Sequence, residues 1–283
     1  VTNNTVDVIN GPDRKITVIG GYNGAGNSEN NTAIVRNGGA STIIGGMSPS
    51  GNATGNTARF SGGFASSVTG GAAQSGNATG NIVHLSGGIV LGSVVGGYID
   101  SASNATGNTV IVSDAADIKH VPLLYGGYAN QDPGDIRTGN TLHLDNWTGG
   151  VGAVIKNFEH YRFTLPAGVR GGQNILPVIG SGSMDLGANA RISVDFSGSP
   201  CAFKVGEEIN LINTRSASGV ITGTLANTTA ASTVDGTTYT FRLALTDARD
   251  SGYRLLTATL IGQKRQSSVA QKRKRASVMR KRD

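Results

Sequence analysis

Several ionisable side chains that could bind a metal ion or act in catalysis are concentrated in one stretch of the chain. They are Asp114, Asp117, His120, Asp132 and Asp135. Carboxylates at this density can hold calcium through their oxygens, and a pair of them can cleave a glycosidic bond. A sugar-cleaving site usually also needs aromatic platforms, and Trp147 is the chain's single tryptophan. We therefore expect a solvated loop whose four aspartates are candidate binding residues, with calcium binding or polysaccharide cleavage as the alternatives.

Two other patterns bear on catalysis and metal binding. Residues 195–200 read DFSGSP, but Phe196 stands where the Gly-Asp-Ser-Gly motif of trypsin-like proteases has aspartate. This segment predicts a turn at the end of a strand. His84 and His143 occupy equivalent outward positions two repeats apart, so we expect them about 10 Å from each other, too far for one metal ion. The sequence thus predicts surface histidines, no catalytic residue, no metal site and no cofactor.

The elements that carry these residues follow a repeat of about 25 residues. Two markers define the repeat, a Gly-Gly pair and an asparagine. The pairs begin at Gly20, Gly45, Gly70, Gly96 and Gly126. The asparagines are Asn4, Asn31, Asn56, Asn81, Asn108 and Asn140. The spacings of the two markers change together along the chain. We therefore interpret the period as a true structural repeat.

The side chains after each marker asparagine alternate, which predicts a strand with one buried face. The second residue after it is Val6, Ala33, Ala58, Val83, Val110 or Leu142. The fourth residue after it is Val8, Val35, Phe60, Leu85, Val112 or Leu144. The residue between them is charged in some repeats, as at Asp7 and Arg59. A second strand is expected before each Gly-Gly pair, where an aliphatic residue always stands two positions earlier.

A repeated hexapeptide predicts a sharp corner. GNATGN at residues 51–56 recurs at 76–81 and, as SNATGN, at 103–108. Glycine or asparagine precedes every marker asparagine, and these residues enter the left-handed backbone region most easily. We expect the marker asparagines to stack, each amide bonding to the repeats above and below. The earlier asparagines Asn52, Asn77 and Asn104 are interpreted as turn residues rather than glycosylation sites.

These features predict an all-β chain built as a parallel β-helix, because a propeller blade would need about 40–45 residues. Residues 1–150 are expected to form the coils of this solenoid. From residue 151 to 262 the period is lost, and further strands are expected to form a non-repetitive β cap. The repeats lengthen at 98–108 and 128–140, and insertions on one edge of a solenoid often form its binding face.

The net positive charge of the chain comes from its C-terminal end. The net charge is +6, but residues 264–283 hold nine Lys and Arg and one acid, which leaves 15 basic and 17 acidic residues in the rest. The body of the chain therefore gives no indication of nucleic-acid binding. Residues 263–283 are interpreted as a basic linker, with a patch for an anionic surface or nucleic acid as the alternative. Cys201 is the only cysteine, so no intrachain disulfide is expected.

The sequence resembles the distal part of a Gram-negative autotransporter passenger. The resemblance is carried by the TGNTV…SGG…VVGGY repeats, by VIKNFEHYRFTLP at 154–166 and by FKVGEEINLINT at 203–214. It implies a right-handed β-helix exported by type V secretion through the outer membrane and displayed at the cell surface. It also implies a partner, the membrane β-barrel of the same precursor, and a folding nucleus at 151–262. The chain, which shows neither an initiating Met nor a signal peptide, is interpreted as a piece of that longer protein.

Two classes of function follow from these expectations. The first is a non-catalytic, secreted stalk of an adhesin or related virulence factor, which would bind an unknown host or bacterial surface ligand. The second is a β-helical polysaccharide lyase or hydrolase that uses the acidic loop residues. The second class requires at least two of the four aspartates to converge on one face within about 10 Å.

Overall fold

The computed structural model describes residues 1–10, 16–100, 102–180, 182–198, 203–214, 221–247 and 254–265. Cys201, the end of the DFSGSP segment and most of the basic tail lie outside the described residues. Within them the chain is all β, with 23 strands and no helix. Accordingly, the described part of the chain contains no helix of the length and hydropathy needed to cross a membrane.

The strands are short in most repeats, and β7 is the longest. Strands β1 to β8 are Thr5–Val8, Thr17–Ile19, Ser28–Glu29, Thr32–Val35, Gly39–Ser48, Ala53–Thr54, Thr57–Ala73 and Ala78–Thr79. Strands β9 to β16 are Ile82–Val90, Val94–Ile99, Thr109–Ser113, Leu123–Ala129, Thr141–Asp145, Val154–Lys156, His160–Leu165 and Asn174–Val178. Strands β17 to β23 are Ser183–Asp185, Arg191–Phe196, Glu208–Thr214, Ile221–Thr222, Thr229–Val234, Thr237–Asp247 and Arg254–Arg265.

Fifteen strands form one large sheet in which every described pairing is parallel. The sheet has two columns that meet in β7. The first column is β1, β4, the start of β7, β9, β11, β13, β15 and β18. The second column is β2, β5, the end of β7, β10, β12, β14, β17 and β20. A third column, the small parallel sheet of β3, β6 and β8, pairs the corners of successive repeats.

The inward side chains of these columns form one hydrophobic core. Neighbours in the first column pair in the register that the aligned repeats predict. One row runs through Ala33, Ala58, Val83, Val110, Leu142, Tyr161 and Ile192. Each of these side chains is at most 3 % exposed, whereas Val6 in the outermost strand β1 is 38 % exposed. Burial of apolar surface between stacked repeats is therefore the main stabilising contribution.

The parallel columns continue beyond residue 150, although the sequence period is lost there. Tyr161 of β15 pairs with Leu142, and Ile192 of β18 pairs with Tyr161. In the second column Ile155, Met184 and the short β20 extend the stack. A separate five-stranded sheet follows, in the order β16-β19-β23-β22-β21, and only its β16-β19 pair is parallel. After residue 150 the structure contains further strands, as the sequence predicts.

Candidate functional site

Two of the four candidate aspartates line one cavity. This cavity, of about 370 Å³, lies where β11 and β13 end, and Asp114, Asp117, Lys119 and Trp147 are among its lining residues. The corner that forms it changes type along the stack. Asp114 and Asn146 have φ values of 52° and 55°. Three of the preceding repeats have a glycine with positive φ at this corner, Gly38, Gly63 or Gly88, whereas the first repeat has Asn10.

Asp117 and Trp147, which line this cavity, make hydrogen bonds to neighbouring groups of the protein. The Asp117 carboxylate accepts the backbone N–H of Lys119 at 3.0 Å and forms an ion pair with its ammonium at 3.5 Å. The Trp147 indole N–H donates to the carbonyl of Ala116 at 2.9 Å, and the side chain is 3 % exposed. A ring buried to this extent packs in the core and offers no open face to a sugar. The cavity thus presents two carboxylates and one ammonium, a polar site without an aromatic platform.

The other two aspartates lie elsewhere, in the loop between β12 and β13. Asp132 is exposed. The Asp135 carboxylate accepts the backbone N–H groups of Arg137 and Thr138, both at 2.9 Å. Burial raises the pKa of this carboxyl, but the hydrogen bonds from Thr138 and Arg137 outweigh it, so the net shift is downward. The structure therefore brings Asp114 and Asp117 to one cavity and gives Asp135 the role of closing a turn.

The two outward histidines are more enclosed than surface residues. His84 and His143 both pair with Ile111 between them, as expected for positions two repeats apart. The His143 side chain is only 14 % exposed, and its Nε2 lies 2.9 Å from Oγ1 of Thr164. Burial, followed by the charge of Arg162, lowers the pKa of His143. The prediction of surface histidines is therefore wrong for His143, because neighbouring strands cover it. The described residues contain no group of three or more His, Cys, Asp or Glu that could hold a metal ion.

The marker asparagines form a hydrogen-bonded column, named here the inner ladder, from Asn4 to Asn140. At each step the backbone N–H and the side-chain amide of one asparagine donate to Oδ1 of the next, at 2.8–3.2 Å. The amide also donates to a carbonyl of the preceding repeat, as from Asn81 to Ala53 at 2.9 Å. The members from Asn31 onward are fully buried. Their polar groups are thus satisfied within the protein, as buried amides require.

The residue before each ladder asparagine has positive φ, as the corner requires. These residues are Asn3, Asn30, Gly55, Gly80, Gly107 and Gly139, with φ between 52° and 69°. The Gly-Gly marker belongs to the same corner. A Cβ on Gly71 would collide with the amide of Asn81, and Gly46 has the same relation to Asn56. The two sequence markers are therefore the two sides of one contact.

The asparagines interpreted as turn residues belong to another hydrogen-bonded row, named here the outer ladder. It consists of Asn27, Asn52, Asn77 and Asn104, and it ends at Asp135. Each backbone N–H donates to Oδ1 of the asparagine one repeat earlier, at 2.7–3.0 Å. This direction is opposite to that of the inner ladder. The side chains are half-buried or exposed.

One outward face was missed in the sequence analysis. Tyr98, Tyr125 and Tyr128 stack on the outer side of the second strand column, where β10 and β12 pair. The ring centroids of Tyr98 and Tyr128 are 5.8 Å apart with an interplanar angle of 17°, and those of Tyr125 and Tyr128 are 5.4 Å apart at 24°. The signal was present in the sequence, because tyrosine follows the Gly-Gly pair at Tyr22, Tyr98 and Tyr128.

Comparisons of the chain with protein-family models, with curated proteins and with solved structures find no match. The geometry above offers three features for a functional argument. These are the register of the columns, the polar cavity beside Trp147 and the tyrosine face.

Proposed function

We propose that the chain is a right-handed parallel β-helix and that its function is mechanical. In this proposal each repeat is one coil that contributes a strand to each column, and the cap contains the five-stranded sheet. The observation that carries the proposal is the register of the inward row of the first column, which is kept from Val6 in β1 to Ile192 in β18. Stacked strands are about 4.8 Å apart, so each coil adds that length to a rod.

Three kinds of contact between successive repeats would make such a rod stiff. Apolar rows fill its interior, and the inner and outer ladders tie each corner to the next one. A repeat held in this way can loosen only by leaving buried polar groups unpaired, which is costly. Rigidity and length are the properties that a stalk needs. We therefore assign the chain to the stalk of a secreted autotransporter passenger of an adhesin or virulence factor, displayed at the cell surface.

In this proposal the parts of the chain have different roles. The coils supply reach, residues 151–262 form the cap and the folding nucleus, and the basic linker leads to the outer-membrane β-barrel of the same precursor. The antiparallel strands β21, β22 and β23 suit a nucleus, because they pair as successive neighbours along the chain and most of their pairs span shorter sequence distances than those of the stacked parallel strands. The ligand of the displayed protein would be a host or bacterial surface molecule.

Surface display tests this proposal. The full chain, with an epitope tag before residue 1, would be placed between a signal peptide and an autotransporter barrel in a Gram-negative host. We expect the tag to be labelled on intact cells and removed by external protease. Small-angle scattering of the purified chain should show an elongated particle. A tag that stays inside the cell, or a spherical particle, would contradict the proposal.

A second assay addresses catalysis. Purified chain would be incubated with a panel of acidic and neutral polysaccharides, and reducing ends or unsaturated products would be measured. The proposal expects no turnover. Turnover that disappears in the double variant Asp114→Asn, Asp117→Asn, but not in the control Asp132→Asn, would assign the cavity to a polysaccharide-cleaving enzyme and overturn the stalk as the sole function.

A further inference from the structure

The outward row that includes Tyr98 and Tyr128 is interrupted by one small residue, Ala72. The residues that follow the Gly-Gly pairs form an outward row in register: Tyr22, Met47, Ala72, Tyr98 and Tyr128. Four members of this row have large side chains, and Ala72 contributes only a methyl group. Because neighbouring strands are about 4.8 Å apart, one small residue in such a row leaves a gap about as thick as a flat ring.

The gap is bounded by an aromatic face on one side. Tyr128 stacks on one side of the Tyr98 ring, nearly parallel to it, and Ala72 is the neighbour of Tyr98 on the other side. Met47 is the next residue of the row beyond Ala72, and its thioether is a favourable contact for an aromatic ring. A cavity of about 340 Å³ includes this gap and extends along the stack to Leu123 and Tyr128 of the next repeat.

The lining of this cavity is mostly apolar. Apart from the two tyrosines, Thr69 and Ser93 are the polar residues of this lining. The volume is at the lower end of the roughly 300–1,000 Å³ typical of small-molecule sites, which suits a ligand of one or two rings. Apolar residues complete the site: Ile44, Met47, Ala72, Val95 and Leu123.

The ring that forms the wall is held in place by its polar tip. The Asn130 amide donates to the Tyr98 hydroxyl at 2.9 Å and to Asp100 at 2.8 Å. The Tyr98 hydroxyl in turn donates to Asp100 at 3.3 Å. With Tyr128 behind it and this triangle at its tip, Tyr98 offers a fixed face. A fixed face reduces the entropy cost of stacking a ligand on it.

We propose that the gap above Ala72, bounded by Met47 and Tyr98, binds a small, uncharged aromatic molecule. The ligand ring takes the place of the missing large side chain and stacks on Tyr98, which extends the row of parallel rings. An aromatic ring is preferred over a sugar, because a sugar would bury several hydroxyls against a lining that offers few partners. This binding site is independent of the proposed stalk function.

Methionine-methyl NMR tests the site in the full chain. The chain would be labelled with ¹³C-methyl methionine and titrated with p-cresol, with indole and with methyl glucoside. We expect the Met47 methyl to shift upfield with the two aromatic probes and to stay unchanged with the sugar. Met184 is 1 % exposed and lies in the core, so its methyl is an internal control that should not move.

Two variants separate the proposed slot from general surface binding. Ala72→Tyr fills the slot and should abolish the shift of Met47, whereas Ala72→Ser keeps the slot open and should retain it. If Ala72→Tyr does not fold, Tyr98→Leu keeps an apolar wall without the ring and should weaken p-cresol binding about tenfold. The proposal is overturned by a shift that survives both Ala72→Tyr and Tyr98→Leu, by an equal response to methyl glucoside, or by no response to millimolar p-cresol.

Discussion

The inner and outer ladders use the same residue type at the same repeat and differ in what surrounds them. In the inner ladder, Asn81 accepts two hydrogen bonds from Asn56, and its amide donates two more. In the outer ladder, Asn77 accepts one bond, from the backbone N–H of Asn104. Asn81 is fully buried and Asn77 is half-buried.

One hexapeptide therefore contributes two structural roles to the fold. GNATGN contains one asparagine of each ladder, four residues apart, with the positive-φ glycine directly before the second. Water can replace a lost bond at the outer position. At the inner position no water reaches the groups that would be left unpaired, so the energetic cost of a loss is larger.

Replacing the inner asparagine should have the largest effect. Asn81→Ala removes the acceptor of the Asn56 backbone N–H and of one Asn56 amide hydrogen bond, and it removes the amide that donates to the Ala53 carbonyl and to Oδ1 of Asn108. We expect a loss of about 3–5 kcal/mol in the free energy of unfolding. The matched change Asn77→Ala removes one half-buried bond and should cost about 1 kcal/mol. Urea denaturation of the two variants measures the difference. Equal losses would show that the two ladders are energetically equivalent.

Crowding the inner ladder should have an intermediate effect. Gly71→Ala places a methyl group against the Asn81 amide, and we expect a loss of about 1–3 kcal/mol from overpacking. Gly24→Ala is the control, because a Cβ there meets its nearest atom, in the Tyr22 ring, at 3.8 Å. That variant should unfold at the same urea concentration as the parent protein. Full stability in Gly71→Ala would mean that the ladder can shift without cost.

The acidic end of the outer ladder should give the smallest effect, and it should depend on pH. The pKa of Asp135 is lowered in the folded protein, so its charged form stabilises the fold above the ordinary value of 3.8, and this contribution is lost as the pH falls through the folded value. The urea midpoint of the parent protein should therefore decrease more between about pH 6 and about pH 3 than that of Asp135→Asn. Asp132→Asn, at an exposed position, should follow the parent curve.

Much of the fold could be predicted from the sequence, because the repeats can be compared with one another. Residues with different identities but equal positions, such as Ala58 and Val83, reveal which face is buried. The positive φ at Gly55 and Gly80 follows from the same comparison, since only a few residue types occur before the marker asparagine. Repetition here acts as an internal alignment.

The rest required coordinates, because spacing and contact separate once the loops vary. From Leu142 to Tyr161 the step is 19 residues, and from Tyr161 to Ile192 it is 31. No fixed period shows that these side chains share a row. The polar cavity beside Trp147 presents the same difficulty. Trp147 and Asp114 line it from successive repeats, which the pairing of Ser113 with Asp145 brings side by side. Nor does the sequence show that Asn52 bonds along the stack, because an asparagine in a turn would look the same.

The uniform direction of the inner ladder makes its amides one polarised chain. Every carboxamide oxygen from Asn31 to Asn140 accepts from the repeat before it, so the bond dipoles add along the axis and each strengthens its neighbours. A break at one rung weakens the rungs on both sides of it. The corner is therefore expected to melt as a block, and hydrogen exchange of these buried amides should occur together.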